Sequence, residues 1–266
     1  MRAACLLFAL ALLAHPAAAS KATSHADCAV RSPGHTVALV ELYTSNGCGS
    51  CPAADRWLSG LGERAYVPGK VVPLSLHVAY RDYLGGKDPY AQARFAGRQR
   101  KLTQAQKLAF VYTPQVLVQG RDFRDWRHEA QFQVTLERIN GRPARAHLFL
   151  EIEAVTTHAL HVRATARLER APTGDEAVYL AAYENRLGGA VTLGGNNGRF
   201  LSHDFVVLEW LGPFSLSPEG LWQRELEVAL LPRAASEHSG VAAFIQDRRS
   251  LEVLQALMLP ACHPER

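Results

Sequence analysis

Long apolar runs are scarce in this chain. After its first residues, no stretch reaches the roughly 18 uninterrupted apolar residues that a membrane-spanning helix needs, so no membrane span is expected. Basic charge is thin as well. The formal charge of +4 and the pI near 8.9 come without a dense Lys/Arg run interleaved with aromatics, and nucleic acid is not an expected partner. There is no Gly-x-Ser-x-Gly nucleophile elbow and no phosphate-cradling glycine loop. Gly194-Gly195-Asn196-Asn197-Gly198 lies among strand-like runs and reads as a hairpin turn. A second Cys-x-x-Cys is missing, so the ligand set of a zinc knuckle is incomplete, and neither a metal nor another cofactor is expected.

Five cysteines are present, and their places in the chain carry the argument. Residues 1–19 combine Arg2, a short apolar segment from Ala3 to Ala14, and the small residues Ala17-Ala18-Ala19. That pattern predicts a secretory signal peptide cleaved near Ala19-Ser20, and hence a periplasmic or secreted protein. Cys5 leaves with the leader, and Cys28, Cys48, Cys51 and Cys262 remain. An even count in an oxidising compartment suggests pairing, although four cysteines allow three connectivities. Cys48 and Cys51 are the local pair. Cys28 and Cys262 lie close to the two ends of the mature chain, which often meet in a folded domain, so a structural bridge between them is expected. The alternative is two free terminal thiols.

Hydrophobic patterning divides the mature chain. Residues 20–36 read as a loose lead-in, rich in Ala, Ser, His and Gly. From 37 to 141 strand and helix patterns alternate. They comprise an apolar strand from Val37 to Tyr43, a helix opening near Pro52, and a strand from Val71 to Val78 with Pro73 marking a start or an edge. A helix follows from Asp88-Pro89 (N-cap and N1) towards Arg100, then a strand from Gln115 to Val118, a partner near Arg121 to Arg124, and a helix from His128 to Ile139. Beyond Asn140-Gly141-Arg142-Pro143 the helical periodicity stops. About seven alternating runs separated by turn signals then predict an antiparallel sandwich over 142–266. The expected fold class is therefore an α/β thioredoxin-like N-terminal domain (37–141) followed by an all-β sandwich-like C-terminal domain.

The stretch from Val37 to Trp57, VALVELYTSNGCGSCPAADRW, feeds a strand into Cys-x-x-Cys at a helix start. Free N–H groups and the macrodipole at that end favour negative charge, which lowers a thiol pKa. Cys48 is the expected exposed nucleophile. Cys51, one turn in and partly buried, is expected to resolve the mixed disulfide. Thr113-Pro114 opens the next strand and is expected to form a cis-proline loop facing the cysteines and docking an extended substrate. His77, at the end of a strand with Tyr80, Asp82 and Tyr83 after it, either lines the site and assists proton transfer or is a hydrogen-bonded strand-edge histidine. Asp55 reads as a solvated carboxylate, and Ser45 and Ser50 as turn residues.

These residues resemble a known family. VELYTSNGCGSCPAAD (40–55), HVAYRDYLGGKDPYA (77–91) followed by Arg98-Gln99-Arg100, YTPQVLVQG (112–120) and NNGRFLSHDFVV (196–207) are similar to the bacterial secreted thioredoxin-like proteins grouped as domain-of-unknown-function family 1223. Ala79, Arg81 and Gly86 stand where that family usually carries an acid and large aromatics. The resemblance implies an exported protein with a thioredoxin-like part and a β-rich C-terminal part, and supplies no substrate. Together these readings point to a thiol–disulfide oxidoreductase with an unidentified protein thiol or disulfide as partner. Two alternatives stand beside it, a non-catalytic binding or adaptor module holding a static disulfide, and a copper-handling thiol protein.

Overall fold

The N-terminal half contains β1 (Ala29–Arg31), β2 (Ala38–Thr44), α1 (Cys51–Glu63), β3 (Val71–His77), the short α2 (Asp82–Gly85), α3 (Ala93–Ala105), β4 (Gln115–Val118), β5 (Arg121–Asp122) and α4 (Glu129–Asn140). Among the described residues, only strands and short 3-10 turns come after it: β6 (Ala146–Val155), β7 (Ala159–Leu168), β8 (Glu176–Glu184), β9 (Leu187–Ala190), β10 (Phe200–His203), β11 (Val206–Ser215), β12 (Leu221–Ala229), β13 (Ser239–Asp247) and β14 (Val253–Pro260). This computed structural model describes residues 28–64, 66–230, 236–260 and 262. The expected signal peptide, residues 1–19, lies outside the described residues.

One feature of the sheet overturns the expected fold class. An α/β thioredoxin-like domain followed by a separate sandwich would leave the outer edge of β3 to its own half. Instead β11 lies parallel to β3, with Val206 opposite Ser75, and the Ser75 N–H donates to the Phe205 carbonyl at 2.8 Å. Strands of both halves therefore form one eight-stranded mixed sheet in the order β14-β13-β8-β11-β3-β2-β4-β5. The physical reason is that every residue of β3 is buried, so its backbone groups need partners that water cannot supply. Pro73 fits this arrangement. It faces the same side as Ser75 but lies before β11 begins, where a missing N–H costs nothing.

Packing follows the same continuity. On β8, Tyr179, Ala181 and Tyr183 point into a core shared with Leu39, Leu42, Leu74, Phe95 and Phe132 of the N-terminal half. The alternate residues Val178, Leu180 and Ala182 join a second core with Leu148, Leu150, Val162 and Trp222. Both faces of this strand are covered, so the period of two distributes one strand between two cores. The second core is roofed by a four-stranded sheet, β1-β6-β7-β12, in which part of the lead-in serves as the edge strand β1. A disulfide joins Cys28, just before β1, to Cys262, just after β14, with Cα atoms 5.7 Å apart.

Arg98 of α3 ties the halves together electrostatically. Its Nε and Nη2 donate to the two oxygens of Glu41 at 2.6 and 3.1 Å, and its Nη1 donates to Gln246 Oε1 at 3.0 Å. The guanidinium also lies 5.1 Å from the ring centres of both Trp210 and Phe244. Glu41 has no exposed surface, so its charge depends on this partner. Arg98→Met alone is expected to lower unfolding free energy by about 3–5 kcal/mol, the usual consequence of stranding a buried charge. Adding Glu41→Gln should restore most of the loss in urea titrations, and a double variant no better than the single one would contradict this account.

Candidate functional site

At the end of β2 the backbone turns tightly. The Cys48 N–H donates to the Ser45 carbonyl at 3.1 Å, and the Cys51 N–H donates to the Cys48 carbonyl at 3.1 Å. Cys51 is the first residue of α1 and forms a disulfide with Cys48 across 5.4 Å between Cα atoms. The pair thus sits at the end of a 13-residue helix where unsatisfied N–H groups stabilise a thiolate. Ser50, the exposed N-cap residue, places its Oγ 3.5 Å from the Cys48 sulfur.

The Thr113–Pro114 bond is cis, and both residues line a groove of about 500 Å³ together with Ser50, Phe110, Trp126 and Arg127. Arg81 donates from Nε to Thr113 Oγ1 at 3.0 Å. The structure therefore brings the cysteine turn and the proline loop to one depression. It does not bring His77 there. His77 has no exposed surface, and its Nδ1 is paired with Asp88 Oδ2 at 2.8 Å, beneath the turn. The helix expected from Asp88 begins instead at Ala93. Asp88 caps only a single turn, its Oδ1 accepting from the Tyr90 N–H at 3.0 Å and its carbonyl from the Ala91 N–H at 3.2 Å, while its Oδ2 accepts from the Asn46 N–H at 2.8 Å.

Two further differences concern the cysteines and Asp55. Cys48 is 5% exposed rather than prominent, and Cys51 is fully buried. The cover comes from the loop between β9 and β10. Asn196 donates from Nδ2 to the carbonyls of Asn46 and Cys48, both at 2.9 Å. Gly195 lies so close that a Cβ there would meet the Cα and N of Gly49 at 2.8 Å. The hairpin turn read from the glycines is thus also the roof of the cysteine turn. Asp55 is buried, not solvated, and its carboxylate lies 3.7 Å from His203 Nδ1. His203 in turn hydrogen-bonds through Nε2 with Asn46 Oδ1 at 2.9 Å, and its ring stands 4.8 Å from that of His77. Asn196 and His203 fall within the motif 196–207, but 148 to 157 residues separate them from their partners at the turn, too far for spacing to pair them. Among the described residues no cluster of His, Cys, Asp and Glu has the arrangement of a metal centre.

Burial sets the titration of this knot. It pushes Asp55 from 3.8 to about 6, against the attraction of His77. It holds His203 down from 6.5 to about 3, with His77 adding to the effect. Asp88 also loses solvation, yet its hydrogen bond and charge pairing with His77 outweigh that and keep it below the usual carboxylate range.

The sequence pattern of the family described as "Protein of unknown function (DUF1223)" matches residues 39–246. No curated protein matches the chain. Among solved structures, protein AGR_C_4864 from Agrobacterium tumefaciens is similar with a TM-score of 0.60 and 24% identity, over 88% of this chain and 99% of that one. HBP35 of Porphyromonas gingivalis is similar with a TM-score of 0.66 and 14% identity, over 88% and 78%. These likenesses concern the fold.

The pKa shifts predict a specific pH dependence. His203 stabilises the fold above 6.5, and that contribution is lost as pH falls towards 3, because the unfolded chain takes up a proton that the folded one refuses. Asp55 contributes most below 3.8, and its contribution is lost as pH rises through about 6. The two oppose each other between about pH 4 and 6. Asp55→Asn removes one side, so the variant's urea midpoint should fall more steeply than wild type on acidification through that window. Parallel curves would count against the Asp55 shift, and a variant midpoint that does not fall between pH 6 and 4 would count against that of His203.

Proposed function

From the premise that the chain belongs to the DUF1223 family of proteins of unknown function, we propose that it is an exported thiol–disulfide oxidoreductase acting on protein thiols or disulfides. The observation that carries this reading is the place of the Cys48–Cys51 disulfide. It lies at a helix N-terminus, and the Cys48 sulfur adjoins an open groove through Ser50. A substrate thiolate attacks the Cys48 sulfur, the Cys48–Cys51 bond breaks, and Cys51 leaves as a thiolate. A second substrate thiolate then releases Cys48 and carries away the substrate disulfide. Run backwards, Cys48 attacks a substrate disulfide and Cys51 resolves the mixed species. The two sulfurs carry both electrons, so the step needs no cofactor. Thr113 and Pro114 flank the path of the substrate, while His77 and Asp88 hold the turn from below and do not touch it.

Export is supported by the signal-like residues 1–19 and by the Cys28–Cys262 bridge, which suits an oxidising compartment. Among the described residues no helix is long and apolar enough to cross a membrane.

The low exposure of Cys48 favours one rival, a binding module with a static disulfide. Equilibration with glutathione buffers separates the two. An oxidoreductase should give a potential within the range of physiological buffers, and a value below about −300 mV would favour the static bridge. Cys51→Ala should accumulate mixed disulfides through Cys48. Capture of no thiol partner by that variant, together with a wild-type pair that glutathione does not reduce, would end the redox reading.

A further inference from the structure

The groove beside the cysteine turn has a chemical character of its own. Its floor and walls are aromatic and apolar. Trp126 is nearly buried, Phe110 is 66% exposed, and Tyr112 and Pro114 line the groove with them. Its charge is of one sign, because Arg124 and Arg127 line it and no carboxylate does.

The neighbouring acids Asp122 and Asp125 stand outside the groove lining. Asp122 accepts from the Tyr112 hydroxyl at 2.7 Å, from Gln115 Nε2 at 2.9 Å and from Arg124 Nε at 3.0 Å. Its charge offsets that of Arg124. Asp125 is 3.5 Å from His128 Nδ1. Arg127 is exposed and lies over the Trp126 ring at 4.7 Å, and no ion pair of its own occurs among the described residues. Arg81 adds a third guanidinium behind Thr113. An exposed cation stacked on an aromatic wall, in a groove free of carboxylates, complements an anionic side chain with apolar neighbours.

Resting on the thiol–disulfide reading of the site, we propose that this groove selects cysteine-bearing segments whose neighbouring residues are acidic and apolar. The segment lies along Phe110 and Trp126 with its carboxylate against Arg127. Its cysteine then reaches the Cys48 sulfur past Ser50, whose hydroxyl already stands 3.5 Å from that sulfur. The exchange itself is unchanged: the peptide thiolate forms a bond to the Cys48 sulfur, the Cys48–Cys51 bond breaks, and Cys51 takes the electron pair as a thiolate. No further oxidant is involved, since the oxidised chain is itself the acceptor.

The test uses the full oxidised chain and two single-cysteine peptides, one with Glu and Leu around the cysteine and one with Lys and Leu. Mercaptoethanol serves as a small neutral thiol. Mixed-disulfide formation is followed by quenched-flow mass spectrometry. Flanking charges alter the thiol pKa of the peptides themselves, so the quantity read is the acidic-to-basic rate ratio of wild type divided by that of Arg127→Glu. This cancels the peptides' own reactivity. A quotient of about ten is expected at low ionic strength, shrinking in molar salt. Arg224→Glu, an equal change of net charge on the distant strand β12, should leave the wild-type ratio in place. Equal ratios in wild type and Arg127→Glu, with mercaptoethanol still reacting, would overturn the selection and spare the redox reading. If no thiol reacts at all, mercaptoethanol included, both fall together.

Discussion

The outer edge of β3 is the constraint on which the architecture turns. A strand buried along its whole length cannot leave its N–H and C=O groups unpaired, and the N-terminal half serves only the two ends of that edge, where the Val71 N–H donates to the Tyr66 carbonyl and the Gln92 N–H donates to the His77 carbonyl. β11 reaches it from more than a hundred residues away, with Val206 opposite Ser75. Phe205, at φ +57°, turns the chain immediately before that contact, so β10 departs from the large sheet. His203 is thereby set against His77, and the loop carrying Asn196 against the cysteine turn. One pairing requirement thus produces both the continuous sheet and the roof over Cys48.

The cysteine turn is consequently held from two sides. From below, Asp88 receives the Asn46 N–H while binding His77, and His203 binds the Asn46 side chain. From above, Asn196 takes the carbonyls of Asn46 and Cys48. Asn46 is therefore held through its N–H, its carbonyl and its side chain. Such over-determination fixes the geometry of the sulfurs and limits their exposure at once. Access then runs through Ser50 and the groove at Thr113–Pro114, and a redox pair so placed meets only partners that fit the groove.

Local structure was largely legible in the sequence. The apolar run before the cysteines, the helix opening at Cys51-Pro52, and the strand and helix patterns between 115 and 140 all occur close to where periodicity puts them. The alternating runs after residue 142 correspond to β6, β7, β8, β12, β13 and β14. The run from Phe200 to Leu211 is divided at Asp204-Phe205, where a left-handed residue interrupts what alternation alone would continue. The helix placed at Asp88 failed for a different reason. Asp88 does make a cap-type bond, accepting the Tyr90 N–H through Oδ1 while Oδ2 holds His77 and the Asn46 N–H, but the turn it caps ends before α3 opens at Ala93 behind an extended Gln92.

What the sequence determined by itself was local: the Cys-x-x-Cys turn at a helix start, the strand periodicities, the cis-proline position and the chemical inventory of the site. These depend on contacts within a few residues, and spacing records such contacts. Only the tertiary structure decided that the two halves share one sheet and that Arg98 joins them through Glu41 and Gln246. It also decided that Asp55 is buried and that Asn196 covers Cys48. The shared sheet, the Arg98 link and the Asn196 cover each rest on which distant backbone edge or side chain satisfies a buried polar group, and Asp55 is buried by the packing of His203 against it. A pattern of residue types states that such a group needs a partner, but it does not state which one arrives.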